Sequence, residues 1–219
     1  GVQTCALPIS VICTYSQTKE EIKIANLWIE SRKEMPDTQR LNLLLRLGEA
    51  EKYIIPDSSI KHFNQALIIA QTYYYSAKIA KANYLLGVVH SYQSELIQAR
   101  DHFLQCLPYF ERLGDQIRLK NLYYKIGRTS YGQGSYSIAL KYFLLSLQVS
   151  EELSDSVGIA DGYHRIAKVY ESQKDMDQAI GYNRKALAIR ESINFREGIA
   201  ASCVNLGLVL FSVNHFDDA

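Results

Sequence analysis

Residues 119–146 read LKNLYYKIGRTSYGQGSYSIALKYFLLS, and residues 159–186 read IADGYHRIAKVYESQKDMDQAIGYNRKA. Laid over one another at an offset of 40, the two stretches place Leu119 on Ile159, Ile126 on Ile166, Gly127 on Ala167, Ala139 on Ala179 and Ser146 on Ala186. The offset carries outward in both directions. Gly87, Gly127, Ala167 and Gly207 form one series, Ala99, Ala139, Ala179 and Ala219 a second, and Leu67, Leu107, Leu147 and Leu187 a third. A fixed period of this size marks a repeat architecture. Two small-residue positions per repeat mean that two helices approach closely there, because larger side chains would hold their axes apart. The unit is therefore a helical hairpin. One hairpin cannot bury its apolar face alone, so the chain is expected to stack such hairpins into a solenoid.

Turn chemistry divides the repeats into helices. Thr18 followed by Glu21 is a capping-box signature, and the helix it opens is closed by Pro36. Ile22, Ala25, Trp28 and Ile29 are expected to form the buried face of that helix, by their three- and four-residue spacing. Further helices are expected over 38–54, 57–75, 76–93, 95–113, 116–132, 135–153, 156–172, 175–193 and 196–213, separated by Gly114-Asp115, Gly132 to Ser135, Ser154-Asp155, Asp175 and Asn194. No useful stretch alternates with period two, so the class is all-α.

These residues resemble the tetratricopeptide repeats. One copy reads Ile126-Gly127, Tyr131, Ala139, Phe143 and Ser146, and the next Ile166-Ala167, Tyr170, Ala179, Asn183 and Ala186. The resemblance covers residues 40–219 and is weakest around Gly48 and Ser59, which sit one residue out of register. It implies a right-handed superhelical solenoid of stacked antiparallel helix pairs. The family's usual period is about 34 residues. The longer period is similar to that of repeats ahead of bacterial sensor histidine kinases, of helical transcriptional regulators and of Rap-type regulators.

Composition excludes several classes. Of 219 residues 47% are hydrophobic and 21% charged, with 12 Gly and 4 Pro, which is the balance of a folded helical chain rather than a disordered one. A net charge of +1 gives no global pull toward nucleic acid or an anionic membrane, so neither nucleic-acid binding nor direct membrane contact is expected. The 16 tyrosines are read chiefly as hairpin packing. Cys106, in the small-residue series with Ala66, Ser146 and Ala186, reads as a buried inert thiol, and Cys203 reads the same way. Without a Cys-x-x-Cys pair, a Cys/His cluster or any phosphate-loop, zinc-protease or hydrolase motif, the sequence points to no metal, no cofactor and no catalytic residue. His62 and His102 share one repeat position, which points to a structural or surface place rather than a ligand pair.

The first 17 residues are read as a non-structural leader. Residues 1–9 resemble an adaptor-derived remnant, and Thr14 and Ser16, three and one positions before Gln17, follow an apolar run in the manner of an export signal. That reading favours an exported sensor region, with a cytoplasmic chain as the alternative. Residues 18–219 are read as one repeat domain that continues beyond Ala219, which falls on the register of a second helix.

The function expected is a non-enzymatic scaffold for a protein or peptide, the input region of a bacterial signal-transduction protein; a Rap-like response-regulator phosphatase or transcription-regulator solenoid is the alternative. In the family the first helix of each pair lines a concave groove. Transferred by register, the groove residues are Lys81, Tyr84, Asn121, Tyr124, Arg128, Asp161, His164 and Lys168, flanked by Lys125 and Arg165. Val88 and Asp161 stand where a carboxylate-binding arrangement would carry polar or basic groups.

Overall fold

The computed structural model describes residues 18–217, with side chains through residue 213; the leader and Ala219 lie outside them. Ten helices follow one another, and no strand occurs among the described residues. They are α1 (Lys19–Ser31), α2 (Asp37–Glu51), α3 (Pro56–Thr72), α4 (Ser76–Tyr92), α5 (Leu96–Leu113), α6 (Gln116–Gly132), α7 (Tyr136–Glu152), α8 (Ser156–Ser172), α9 (Met176–Ser192) and α10 (Arg196–Asp217). From α6 to α9 every helix has 17 residues and every turn three, so two of each make the 40-residue period. Each such helix is about 25 Å long at 1.5 Å per residue.

The turns repeat as strictly as the helices. After α7 the amide of Asp155 donates to the carbonyl of Ser150 at 2.9 Å, and after α8 Asp175 donates to Tyr170 at 3.0 Å. This is a six-residue C-terminal closure, and it sets the residue before it in the left-handed region. Gly114 and Gly134 occupy that position with φ of 67° and 72°, where glycine has no penalty. Tyr74, Ser94, Ser154, Lys174 and Asn194 occupy it too, with φ between 53° and 65°. Asp115, Asp155 and Asp175 then cap the next helix by accepting the amides of Arg118, Gly158 and Gln178.

The chain divides into two compact units at Val89/His90. In the first, α1 packs on α2 and α2 on α3. Its core gathers Leu41, Leu44, Leu45, Phe63, Ala66, Ala70, Leu86 and Val89, and a smaller cluster joins Leu27, Leu43 and Leu47. A polar group lies within this unit: Glu51, fully buried, accepts from the Trp28 indole Nε1 at 2.8 Å and meets the His62 Nδ1 at 2.8 Å. The buried face of α1 differs from the one expected. Ile24 and Leu27 are the buried residues, Leu27 packing with Leu43 and Leu47 of α2, and Trp28 is half-buried, whereas Ile22 and Ile29 are exposed.

In the second unit α5 to α10 pack in sequence, each on the next. Ala139, Phe143, Leu147, Ile166 and Val169 form its core, ringed by Tyr124, Tyr131, Tyr136, Tyr163, Tyr170 and Tyr182. Ring pairs such as Tyr170–Tyr182, stacked at 5.5 Å, place the tyrosines between helices. At Gly127 a Cβ would stand 2.7 Å from the Phe143 ring, which is the close approach the small-residue series requires. Cys106 is buried, and burial pushes its thiol up to about 12. Two expectations fail toward α10. Cys203 is exposed, and nothing lies within 4 Å of a Cβ built on Gly207. Both residues are exposed, and among the described residues no second helix follows α10 to cover them. The turn expected after residue 213 is likewise absent, and α10 runs on to Asp217. Its Arg196–Val213 stretch has the length and apolar composition of a membrane span, but Ile199 and Leu206 also keep the repeat register.

Candidate functional site

The first helices of the second unit's hairpins lie side by side. The Tyr131 hydroxyl of α6 meets Ser172 Oγ of α8 at 2.8 Å, and seven residues earlier on each helix the Arg165 guanidinium lies over the Tyr124 ring at 5.4 Å. A cation over an aromatic face contributes about 0.5–2 kcal/mol, more as it is desolvated. The contact therefore fixes two helices and two of the register-predicted or flanking residues at once.

Around it the predicted residues take different places. Asn121 and Arg128 are exposed one turn to either side of Tyr124. Tyr124 is half-buried, its ring tilted against Phe143 at 6.2 Å. His164 is also half-buried, with Nδ1 3.5 Å from Asn183 Oδ1; burial, ahead of every other influence, lowers its pKa, so the imidazole is neutral near pH 7. Lys168 pairs with Glu171 at 3.3 Å. Asp161 is exposed but engaged, accepting from Arg190 Nη2 at 2.7 Å. Lys81 and Tyr84 belong to the first unit, where Lys81 pairs with Glu49 at 3.1 Å and Tyr84 packs against the core. The six residues from Asn121 to Lys168 thus belong to one unit and to two adjacent helices.

Sequence reasoning missed Arg190. It sits on the register of Ala70, Phe110 and Ser150, all buried, and is itself only 5% exposed. Its Nη1 donates to Ser202 Oγ of α10 at 2.6 Å while Nη2 reaches Asp161 of α8. Gly198 gives it room, since a Cβ there would stand 2.9 Å from Arg190 Cδ. The readable signal was a charged residue in a core series, with a glycine eight positions on.

Electrostatically the face is one-sided. α6 carries Arg118, Lys120, Lys125 and Arg128 and no carboxylate, and both carboxylates of α8, Asp161 and Glu171, are paired. Two shallow depressions lie elsewhere, one on α7 along Leu140, Leu144 and Gln148, the other between the starts of α2 and α4. Among the described residues no three His, Cys, Asp or Glu side chains converge as metal ligands. The face carries aromatic surface, an amide and cations.

Residues 118–192 match the model of a tetratricopeptide repeat family. Over these residues the chain is similar to the tetratricopeptide repeats. No curated protein sequence matches the chain. Solved structures share its fold. Aspartyl phosphate phosphatase F from Bacillus subtilis superposes with a TM-score of 0.68 at 17% identity, over 83% of this chain and 48% of its own. The apo form of RapI gives 0.75 at 16% identity, over 90% of this chain and 59% of its own. A Rap protein complexed with competence and sporulation factor gives 0.60 at 15%, over 96% and 65%. The chain spans about half to two thirds of the length of these proteins, and at such identities the likeness is one of fold. The chain is an all-α, tetratricopeptide-like solenoid.

Proposed function

We propose that the chain is a non-enzymatic scaffold for a protein or peptide, serving as the repeat input region of a bacterial signalling protein, and that its ligand lies along the face shared by α6 and α8. The observation that carries this reading is the Arg165–Tyr124 contact, which joins the two helices into one wall bearing Asn121, Arg128, His164 and Lys168. An extended segment laid across it would meet an amide, an aromatic ring and cations from successive repeats. The fold likeness to a Rap protein complexed with competence and sporulation factor supports a ligand-binding role for such an array. Lys81 and Tyr84 extend the same register in the first unit and belong to the proposed ligand surface there.

The test is to isolate the partner from the natural host and titrate its binding segment. Tyr124→Ala combined with Arg128→Ala should weaken binding by more than about 1 kcal/mol, as aromatic and arginine anchors carry much of an interface's energy, with helicity unchanged. Lys141→Ala with Gln148→Ala on α7 is the control. The reading falls if both pairs lose equally or only the α7 pair does.

The likeness to aspartyl phosphate phosphatase F supports a second reading, a regulator that acts on a phosphorylated response regulator. Adding the chain to an aspartyl-phosphorylated receiver domain tests it: accelerated loss of phosphate would replace the non-enzymatic reading.

A further inference from the structure

We propose that Arg190 sets the specificity of the α6/α8 face: by engaging Asp161 from within the core it removes an opposing charge, and leaves a wall selective for acidic peptide segments. This rests on the reading that the face binds a peptide.

The argument begins with an unusual core position. The register puts Ala70, Phe110 and Ser150 where Arg190 stands, so apolar or small groups satisfy this place in the other repeats. A guanidinium there is costly, because burial strips it of water and its charge must be matched. It is also incompletely satisfied, for Nε has no hydrogen-bond partner among the described residues. Packing alone does not account for it. Asp161 supplies the matching charge at 2.7 Å, and Ser202 and the Gly198 carbonyl orient the group from α10 at 2.6 and 3.5 Å.

Asp161 differs from its partner in exposure. Its side chain is 55% exposed against 6% for that of Arg190, so the carboxylate stands at the surface while the charge that answers it lies beneath. An approaching ligand meets Asp161 already neutralised. The remaining charges on the two helices are Arg118, Lys120, Lys125 and Arg128 on α6, with Arg165, Lys168 and Glu171 on α8. Arg118 and Lys120 are answered by Asp115 and Asp155, and Glu171 by Lys168. Counting Arg190, the charges of Arg128, Arg165 and Asp161 leave a net +2; without it they leave +1, with the Asp161 carboxylate unanswered at the surface. Like charge opposite a ligand is the means by which interfaces reject wrong partners, and removing Arg190 would create it.

The experiment uses the whole chain and two labelled decapeptides, one of alternating Glu and Ala, the other with Gln for Glu, in low salt. Wild type should bind the Glu probe at least fivefold more tightly than the Gln probe, and Tyr124→Ala with Arg128→Ala should abolish that preference. Arg190→Ser, which installs the residue found at position 150, should weaken the Glu probe about fivefold, and adding Asp161→Asn should restore it. Restoration separates a charge effect from loosened packing, which a neutral amide would not repair. Should Arg190→Ser not fold, Arg190→Gln with and without Asp161→Asn makes the same comparison. No preference for the Glu probe in wild type, an unchanged preference in Arg190→Ser, or a loss that Asp161→Asn leaves unrestored would each overturn the assignment to Arg190. A Glu preference insensitive to Tyr124 and Arg128 would overturn the binding face itself.

Discussion

In the α6–α7 hairpin the Gly127 backbone lies against the Phe143 ring, and Ser150 answers its own hydroxyl by donating to the Ser146 carbonyl at 2.9 Å. At the same three register positions the α8–α9 hairpin carries Ala167, Asn183 and Arg190, all buried. The backbone spacing is the same, yet one interior is closed on an aromatic ring and the other holds an amide and a guanidinium. Where the ring is lost, the polar groups look outward for partners: Asn183 to His164, and Arg190 to Asp161 and to Ser202 on the next helix. A repeat architecture thus fixes where side chains go without fixing what they are, and the copy that departs from the apolar solution is the one whose core is wired to its surface.

The largest expected effect breaks the aromatic side of that comparison. Gly127→Leu should cost about 3 kcal/mol, because even its Cβ would overlap Phe143. Combining it with Phe143→Ala should cost at least about 1 kcal/mol less than the two added separately, the signature of a direct clash. Additive chemical denaturation midpoints would disprove the contact.

Next comes the polar side. Asp161→Ala leaves the Arg190 guanidinium buried without its carboxylate and should cost about 2 kcal/mol, below the range for a fully buried pair because Asp161 is exposed. Glu171→Ala, which breaks the exposed pair with Lys168, should change stability by about 0.5 kcal/mol or less. Urea titrations that rank the two the other way would place the Arg190 charge in contact with water.

Acidification sharpens the contrast, since α6 and α7 contain no histidine. Burial holds His164 below its ordinary pKa, so the folded state resists a proton that the unfolded chain accepts. Its contribution is present above about pH 6.5 and is lost as pH falls below it. Asp155, held down by the Lys120 hydrogen bond and then by the Gly158 amide, contributes above about pH 4 and loses that contribution as pH falls through its folded value. His164→Gln should remove the first loss and Lys120→Met most of the second, each read from unfolding midpoints across pH.

The smallest effects lie in equivalent turns. Gly134→Ala should cost about 1 kcal/mol, as the left-handed backbone at φ 72° disfavours a side chain, whereas Lys174→Gly at φ 65° should stabilise by about 0.5 kcal/mol. Melting shifts of the same sign would show that the two turns are not equivalent.

Much of this fold is legible in the sequence because period and small residues report backbone geometry directly. Gly127, Ala139 and Cys106 are where the register puts them, and the helix ends of α6 and α8 fall on the expected residues. Long-range polar contacts leave no such trace. Trp28 reaches Glu51, 23 residues away, and Arg190, though it stands in a core series, gives no sign in the sequence of its partners Asp161 and Ser202. Non-glycine residues at φ above 50°, such as Tyr74 and Lys174, are hidden for another reason, since the flanking helices impose a turn that the local residues do not favour. Of the site, the register gives the helices and their order. It does not give which side chains are already spoken for, as Asp161 and Lys168 are.

The buried group around Glu51 also gives the molecule an optical label. Trp28 is the sole tryptophan in the chain, and its indole is both hydrogen-bonded to Glu51 and edge-on to the His62 ring at 5.3 Å. Light absorbed selectively by tryptophan therefore reports on the seating of α1 against α2 and α3. A red shift in that emission, with tyrosine emission unchanged, would reveal the first helix lifting away while the second unit, rich in tyrosine, stays folded.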